Sequence, residues 1–376
     1  RNSSFAYRGD NIDIGKVGRE LGVRYVLEGS VRRAGDQVRI NAQLIEVATG
    51  AHLWAERYTC SLQDVFALQD QVSRKIIDAL TVKLNPAEER ALANKETGNV
   101  EAYELVLRGI RHLNAVDQFH NEENIRAAES FRKAIELDGE FARAFAGLAW
   151  THWNAFTMFR LLGSDKDRAL TLAIKSIELN DNALARRLIA QSYLQTRASA
   201  SYGRQVYGRG YDKALSELRK ALALEPNNAD TMAELAYTLV YAGDLDEAAK
   251  LMTQARRLNP NYPSWYHQPA GIIHYLKGNY ELALREFTPW FESSVSVATF
   301  AEAPLWLSAA YAQAGRITEA KGIVRTIGGP AEQSSGRTHF RPNLFAVRLA
   351  MPLKKSEHLD LFIAGLRKTG IPEEPE

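Results

Sequence analysis

The chain has 376 residues, 45% hydrophobic and 24% charged, with a formal net charge of +2, an ordinary soluble-protein balance with room for two domains. Residues 1–100 hold 14 Lys and Arg against 13 Asp and Glu, so neither this region nor the remainder carries the basic excess of a nucleic-acid or anionic-membrane binder. Cys60 is the single cysteine, which excludes an intrachain disulfide and a multi-cysteine zinc site. No apolar run approaches the roughly 18 residues of a membrane span, and no signal-peptide pattern is present. A reducing, cytoplasmic setting fits these features. The sequence opens on Arg1 rather than methionine and reads as a piece of a longer protein.

Ile12 to Leu21 reads as a short helix ending at Gly22, followed by three strands over Arg24–Val31, Gln37–Val47 and Ala51–Tyr58. Val38, Ile40, Ala42 and Leu44 alternate with Arg39, Asn41 and Gln43, the period-two signal of a sheet with one buried face. Ala34-Gly35-Asp36 and Thr49-Gly50 supply turns for an antiparallel meander. Ser61 with Asp64 predicts a capping box for the next helix, along which Val65, Leu68, Val72, Ile76, Leu80 and Leu84 share a face.

Beyond residue 100 the texture changes. Ala214, Leu218, Ala221 and Pro226 recur thirty-four residues later as Ala248, Met252, Ala255 and Pro260, the spacing of a tetratricopeptide (TPR) repeat, a helix-turn-helix unit stacked on its copies. In the clearest unit Met232, Leu235, Ala236 and Leu239 mark the first helix. Gly243-Asp244 turns the chain, and Ala248, Met252 and Ala255 mark the second helix. Small residues let the helices approach, and proline stops each hairpin. Poorer copies follow the same template. Ala127, Phe131, Ala134 and Gly139 mark one, and Ala169, Ala173, Ser176 and Asp181 another. Leu184–Leu194 reads as a first helix separated by an insertion from Ala214. Leu282-Ala283 with Phe287 stands one residue out of register, and Leu307, Tyr311, Gly315, Ala320 and Val324 mark the last. The expectation is about six hairpins between residues 102 and 330, without strands, stacked into a right-handed superhelix.

The runs Arg1–Phe5, Gly18–Arg33 and Thr49–Tyr58 resemble the TolB-like domain that bacterial signalling proteins place before TPR repeats. Asn99–Gly109 and Gly365–Glu373 resemble the same family's junction and C-terminus. The resemblance implies a fold that is mainly α: a TPR superhelix preceded by a small α+β domain. That domain is incomplete, because the family's opening strand and helix normally lie before this starting point. The implied division is an incomplete TolB-like domain over 1–84, a linker over 85–101, the superhelix over 102–330, and a C-terminal segment with one terminal helix over 331–376. A sheet deprived of its strand leaves residues 1–9 weakly anchored. In that family the TolB-like domain commonly follows a class III adenylate or guanylate cyclase domain, and in other members a winged-helix DNA-binding domain. No cyclase catalytic residue carries over, and the chain is expected to be the regulatory part of such a cyclase, with the sensory half of a winged-helix regulator or a free-standing TPR scaffold as the alternatives.

Gly203–Arg209 has phosphate-loop spacing, but Arg209 replaces the lysine, Gly210 replaces the Ser/Thr, and no strand precedes it. It reads as a mobile inter-helix loop, although its arginines and tyrosines interleave as in some nucleic-acid segments. The eight histidines form no HExxH motif, and no hydrolase motif is present. The chain is therefore expected to be non-catalytic, with no cofactor, no metal and no direct nucleic-acid or membrane partner. Its function is expected in a concave TPR groove lined by Trp150, Asn154, Arg187, Gln191, Tyr237, Tyr241, His267 and His274, which offers aromatic anchors beside hydrogen-bonding groups to a protein or peptide. For Trp150, Trp153, Tyr237, Tyr241 and Tyr275, core packing is the plainer alternative.

Overall fold

The computed structural model describes residues 7, 13–61, 63–81, 96–115, 121–157, 163–199, 204–207, 210–294, 302–327, 342–351 and 353–374. Two compact units divide it, Arg1–Ala185 with Arg257–Pro260, and Arg186–Arg256 with Asn261–Glu376.

In the first unit, α1 (Ile14–Leu21) begins where the Asp13 side chain accepts the Lys16 amide and ends on Gly22 at φ 60°, a left-handed cap that glycine adopts without strain. Strands β1 (Tyr25–Ala34), β2 (Gln37–Glu46) and β3 (His52–Ser61) form the expected antiparallel meander in the order β1-β2-β3. Val38, Ala42 and Leu44 are buried and Ile40 is half-buried, with Leu44 set between Leu27 and Trp54. Helix α2 (Val65–Leu80) packs on β3 through this layer and buries Leu68.

The Ser61–Asp64 pair differs from the expected capping box. Asp64 donates its amide to Ser61 Oγ at 3.3 Å and accepts from that hydroxyl at 2.7 Å. The helix, however, starts one residue later, with Asp64 as an N-cap whose side chain makes no cap bond. The pair consumes itself in a turn before the helix. Residues 1–9 lie outside the described residues except Tyr7, as do Ile12, Leu84 and residues 85–95 of the expected linker.

Two hairpins complete this unit, α3 (Val100–Asn114) with α4 (Asn121–Leu137) and α5 (Ala142–Thr157) with α6 (Gly163–Leu179). Phe131 of α4 is fully buried at the contact of α3, α4 and α5. A Cβ at Gly109 would stand 2.7 Å from its ring, and one at Gly147 only 2.3 Å. Both glycines are therefore required by the ring rather than by a turn. Ser176 occupies a small-residue position and donates to the Ala142 carbonyl at 2.6 Å, which is how a buried hydroxyl is tolerated there.

The second unit holds α7 (Ala183–Leu194) from Arg186 onward, α8 (Tyr211–Leu224), α9 (Ala229–Ala242), α10 (Leu245–Leu258) to Arg256, α11 (His267–Leu276), α12 (Tyr280–Ser294), α13 (Glu302–Gln313) and α14 (Ile317–Thr326). Asn228 caps α9 by accepting the Thr231 amide at 2.9 Å. Gly243, at φ 97°, ends that helix, and Asp244 accepts the Glu247 amide at 3.1 Å to open the next. Ala214, Leu218, Ala221, Ala248, Met252 and Ala255 are all buried. In the fifth hairpin Phe287 is fully buried, and a Cβ at Gly271 would lie 2.3 Å from its ring. Ala283 is buried beside exposed Leu282, which fixes the shifted register.

Two expectations are corrected here. The insertion carries β4 (Gln195–Ser199) and β5 (Arg204–Tyr207), paired antiparallel, so residues 102–330 are not free of strands and residues 204–207 are not an unstructured loop. The backbone groups of a long connection are satisfied by a ribbon. Among its described residues the C-terminal segment also contains two helices rather than one, α15 (Leu344–Ala350) and α16 (Ser356–Arg367).

Phe287→Ala should lower unfolding free energy by about 3–5 kcal/mol, whereas Leu282→Ala should stay within about 0.5 kcal/mol. Urea denaturation of both variants checks this, and comparable losses at the two positions would show the wrong face assigned inward.

Candidate functional site

The first helix of each hairpin was expected to supply a binding face. In the first unit, Trp150 is half-buried and donates from Nε1 to the Leu184 carbonyl at 2.9 Å. Asn154 is buried and donates to Asn124 Oδ1 at 3.3 Å, while Asn124 donates to the Thr151 carbonyl at 3.0 Å. These amides join α4 to α5. Asn154 is consequently committed to the interior of its own unit.

In the second unit, Arg187 makes a two-pronged pair with Glu234 of α9, Nε to Oε2 at 2.9 Å and Nη2 to Oε1 at 2.7 Å. Burial opposes the charged guanidinium, but Glu234 outweighs it and holds the Arg187 pKa above its ordinary value. Gln191, one turn along α7, is half-buried. Tyr237 is also half-buried and stands edge-on to Tyr241, with ring centroids 4.8 Å apart. Tyr241 itself is 2% exposed. Its hydroxyl donates to Glu302 of α13 and accepts from Gln268 of α11 at 3.3 Å. Tyr241 is thus packed as a core group, and Tyr237 is the more accessible member of the pair.

His267 belongs to a different set of contacts. His267 lies 2.8 Å from Glu286 of α12 through Nδ1, with its ring edge-on to Tyr262. Arg256 donates twice to Glu286, at 2.8 and 2.6 Å, and its guanidinium sits 4.7 Å from the Tyr262 ring centroid. Burial raises the Glu286 carboxyl, yet donation from Arg256 and His267 overrides it and brings the pKa down to about 2. His274 is half-buried, and burial lowers its pKa. The structure joins Tyr237 with Tyr241 and places His267 in a separate ion-pair network.

Sequence reasoning missed what covers the first-helix face at its far end. α16 packs along α13 and α11. Phe362 lies 3.9 Å from the Trp306 ring and 6.3 Å from Tyr275, centroid to centroid. Tyr275 Oη and Gln313 Nε2 both donate to the Leu361 carbonyl, at 3.1 and 3.3 Å, and Lys354 donates its amide to the Tyr241 carbonyl at 2.8 Å. A Cβ at Gly365 would stand 3.1 Å from Ala309 and closer still to Tyr275 Oη. Phe362, Ile363 and Leu366 are fully buried, each worth about 1.5–3 kcal/mol of transfer free energy. The sequence analysis expected a terminal helix in this segment, but nothing in it named the surface that receives the helix.

The hairpins, their small-residue contacts and the short N-terminal sheet define a TPR-like helical-repeat fold with a three-stranded antiparallel appendage. The tetratricopeptide repeat family model matches residues 210–267. "Putative adenylate cyclase 3" of Rhizobium meliloti (strain 1021) is 45% identical over 185 residues, covering 47% of this chain and 30% of that protein. "Bacteriophage adsorption protein A" of Escherichia coli (strain K12) is 39% identical over 59 residues, 16% of this chain and 6% of that one. The chain therefore spans less than a third of the length of either relative. Among solved structures, the type IV pilus biogenesis factor PilW matches with TM-score 0.42 and 13% identity, over 63% of this chain and 96% of its own. A human IFIT1 dimer matches with TM-score 0.43 and 18% identity, over 67% and 53%. Among the described residues, no helix is long and apolar enough to cross a membrane, and no group of three or more His, Cys, Asp or Glu is arranged to hold a metal ion.

Glu302 gives this face a pH signature. Burial raises its carboxyl pKa above the ordinary 4.5, although hydrogen bonds from Tyr241 and Gln268 pull the other way. The protonated form favours the folded state, so stability is full below that ordinary value and falls as pH rises through the raised one. Glu302→Gln should therefore gain stability over the wild type at pH 8, with the gap closing towards pH 4. Denaturation midpoints across that range check the sign, and a gap that widens in acid would contradict it.

Proposed function

We propose that this chain is the non-catalytic regulatory and protein-interaction region of a bacterial signalling protein, C-terminal to a class III adenylate or guanylate cyclase-like domain and acting in the cytoplasm. The single observation that carries the reading is the 45% identity over 185 residues to the Rhizobium putative adenylate cyclase. The match to only 30% of that relative leaves ample length there for a catalytic domain. The resemblance of the N-terminal sheet region to a TolB-like module supports the same assignment.

The TPR-like array supplies the interaction surface. Tyr237 is its accessible aromatic anchor, with Gln191 and the Arg187–Glu234 pair on the neighbouring first helices of the same unit. Trp150 is the corresponding aromatic residue of the other unit. An aromatic ring beside hydrogen-bonding groups suits a protein or peptide ligand. Tyr241 supports the Tyr237 face from behind, through its burial and its hydrogen bonds with Glu302 and Gln268.

The test uses the protein together with the sequence encoded upstream of Arg1. That stretch should contain cyclase motifs, and deleting residues 100–374 should change cyclic-nucleotide formation at least threefold, while the isolated chain forms none. A winged-helix domain upstream, or an unchanged rate after deletion, would defeat the cyclase assignment. If Tyr237 is an anchor, Tyr237→Ala should weaken regulatory coupling by about 1–2 kcal/mol without moving the thermal midpoint. Tyr241→Ala should lower that midpoint, because it removes a buried ring and one of the hydrogen bonds to buried Glu302.

A further inference from the structure

The first helices of the last three hairpins already hold a ligand-like element. The residues leading into α16 meet Tyr241 of α9 through the Lys354 amide, and α16 itself meets Tyr275 of α11 through the Leu361 carbonyl, and Trp306, Ala309 and Gln313 of α13. Three of these contacts read backbone atoms, one at the Lys354 amide and two at the Leu361 carbonyl. The side-chain requirements are large apolar groups at Phe362, Ile363 and Leu366 and a hydrogen at Gly365, where any Cβ would collide with Tyr275 and crowd Ala309.

Fit is good at one end of α16 and poor at the other. Near its start an open hollow of about 550 Å³ is lined by Gly243, Asp244, Asp246, Lys277, Lys355 and His358. His358 Nδ1 is buried there without a hydrogen-bond partner among the described residues, a costly arrangement in a packed interface. The helix start also lacks a side-chain cap, where a Ser, Thr, Asp or Asn would normally satisfy a free amide. The surface thus accepts a helix of this pattern while leaving α16 an imperfect occupant.

We propose that the face built by α9, α11 and α13 is a receptor for an amphipathic helix, that α16 fills it in cis, and that a partner helix bearing large apolar residues at i, i+1 and i+4 with glycine at i+3 takes its place. This rests on the reading that the repeat array binds proteins, and it names the partner's chemistry. A helix laid in a groove through its apolar face is an established mode of recognition. Tethering gives α16 a high effective concentration, so the intact chain is closed until a better-fitting helix competes.

The probe is a fluorescein-labelled synthetic peptide of residues 354–372, titrated into the full 376-residue chain. In the variant Phe362→Asp/Leu366→Asp, the tethered helix is weakened while the receiving face is untouched. The peptide should bind this variant at least tenfold more tightly than the wild type, and a peptide carrying Gly365→Val should not bind it. A variant that melts cooperatively yet takes up no peptide would overturn the proposal. Should the variant fail to fold, amide exchange on the wild-type chain decides. Exchange in α16 at least tenfold faster than in α11 and α13 supports a displaceable helix, and equal protection shows α16 to be fixed core. Loss of this proposal with cyclase output still responding to repeat deletion would leave the broader function standing.

Discussion

Aromatic rings seated against glycine and alanine set the helix spacing on which this structure depends. Phe131 fills the space that side chains at Gly109 and Gly147 would occupy, and Phe287 does the same at Gly271. Interiors are close-packed, so a ring and the hydrogen facing it form one complementary unit. A larger residue at any of these glycines would force two helices apart, and the displacement would pass to every surface residue positioned by them. The seating of Trp306 beneath Phe362, on different helices, follows from that spacing, whereas Tyr237 and Tyr241 meet because they are four residues apart on one helix.

Polar groups add specificity to this apolar framework. The Arg187–Glu234 pair, the Arg256–Glu286–His267 network and the Asn124–Asn154 contact each join different helices. Removing one partner would leave a buried group unsatisfied, so such contacts penalise slipped registers more than they add net stability. Glu302 is the exception in kind. It is a buried carboxyl whose identified partners are uncharged, and burial raises its pKa. It lies where α13 begins, beside the surface on which α16 rests.

The hairpins were legible because the thirty-four-residue recurrence of small residues reports contacts within and between adjacent units, which local sequence encodes directly. The sheet was legible for the same reason: Val38, Ala42 and Leu44 alternate with polar neighbours in a period that matches the pleat. The ribbon at 195–199 and 204–207 was not, because it satisfies backbone groups with no apolar periodicity to announce it. Tyr237 and Tyr241 look equivalent in sequence. What separates them is Glu302, sixty-one residues beyond Tyr241, and a single sequence carries no signal for that pairing. The position of α16 was hidden likewise. Its apolar stripe shows that it must pack, while the receiving surface comes from three separate hairpins.

The most direct test of this account is a double-mutant cycle on the ring and the glycine that faces it. Gly147→Ala alone should destabilise by about 1–3 kcal/mol, the usual effect of overpacking, and Phe131→Leu alone should also destabilise. Combined in the full chain and measured by urea denaturation, the two should show a favourable coupling of about 1 kcal/mol or more, because leucine vacates the space that the new methyl enters. Additive losses, or a Gly147→Ala variant as stable as the wild type, would contradict the claim that rings against glycines set the helix spacing.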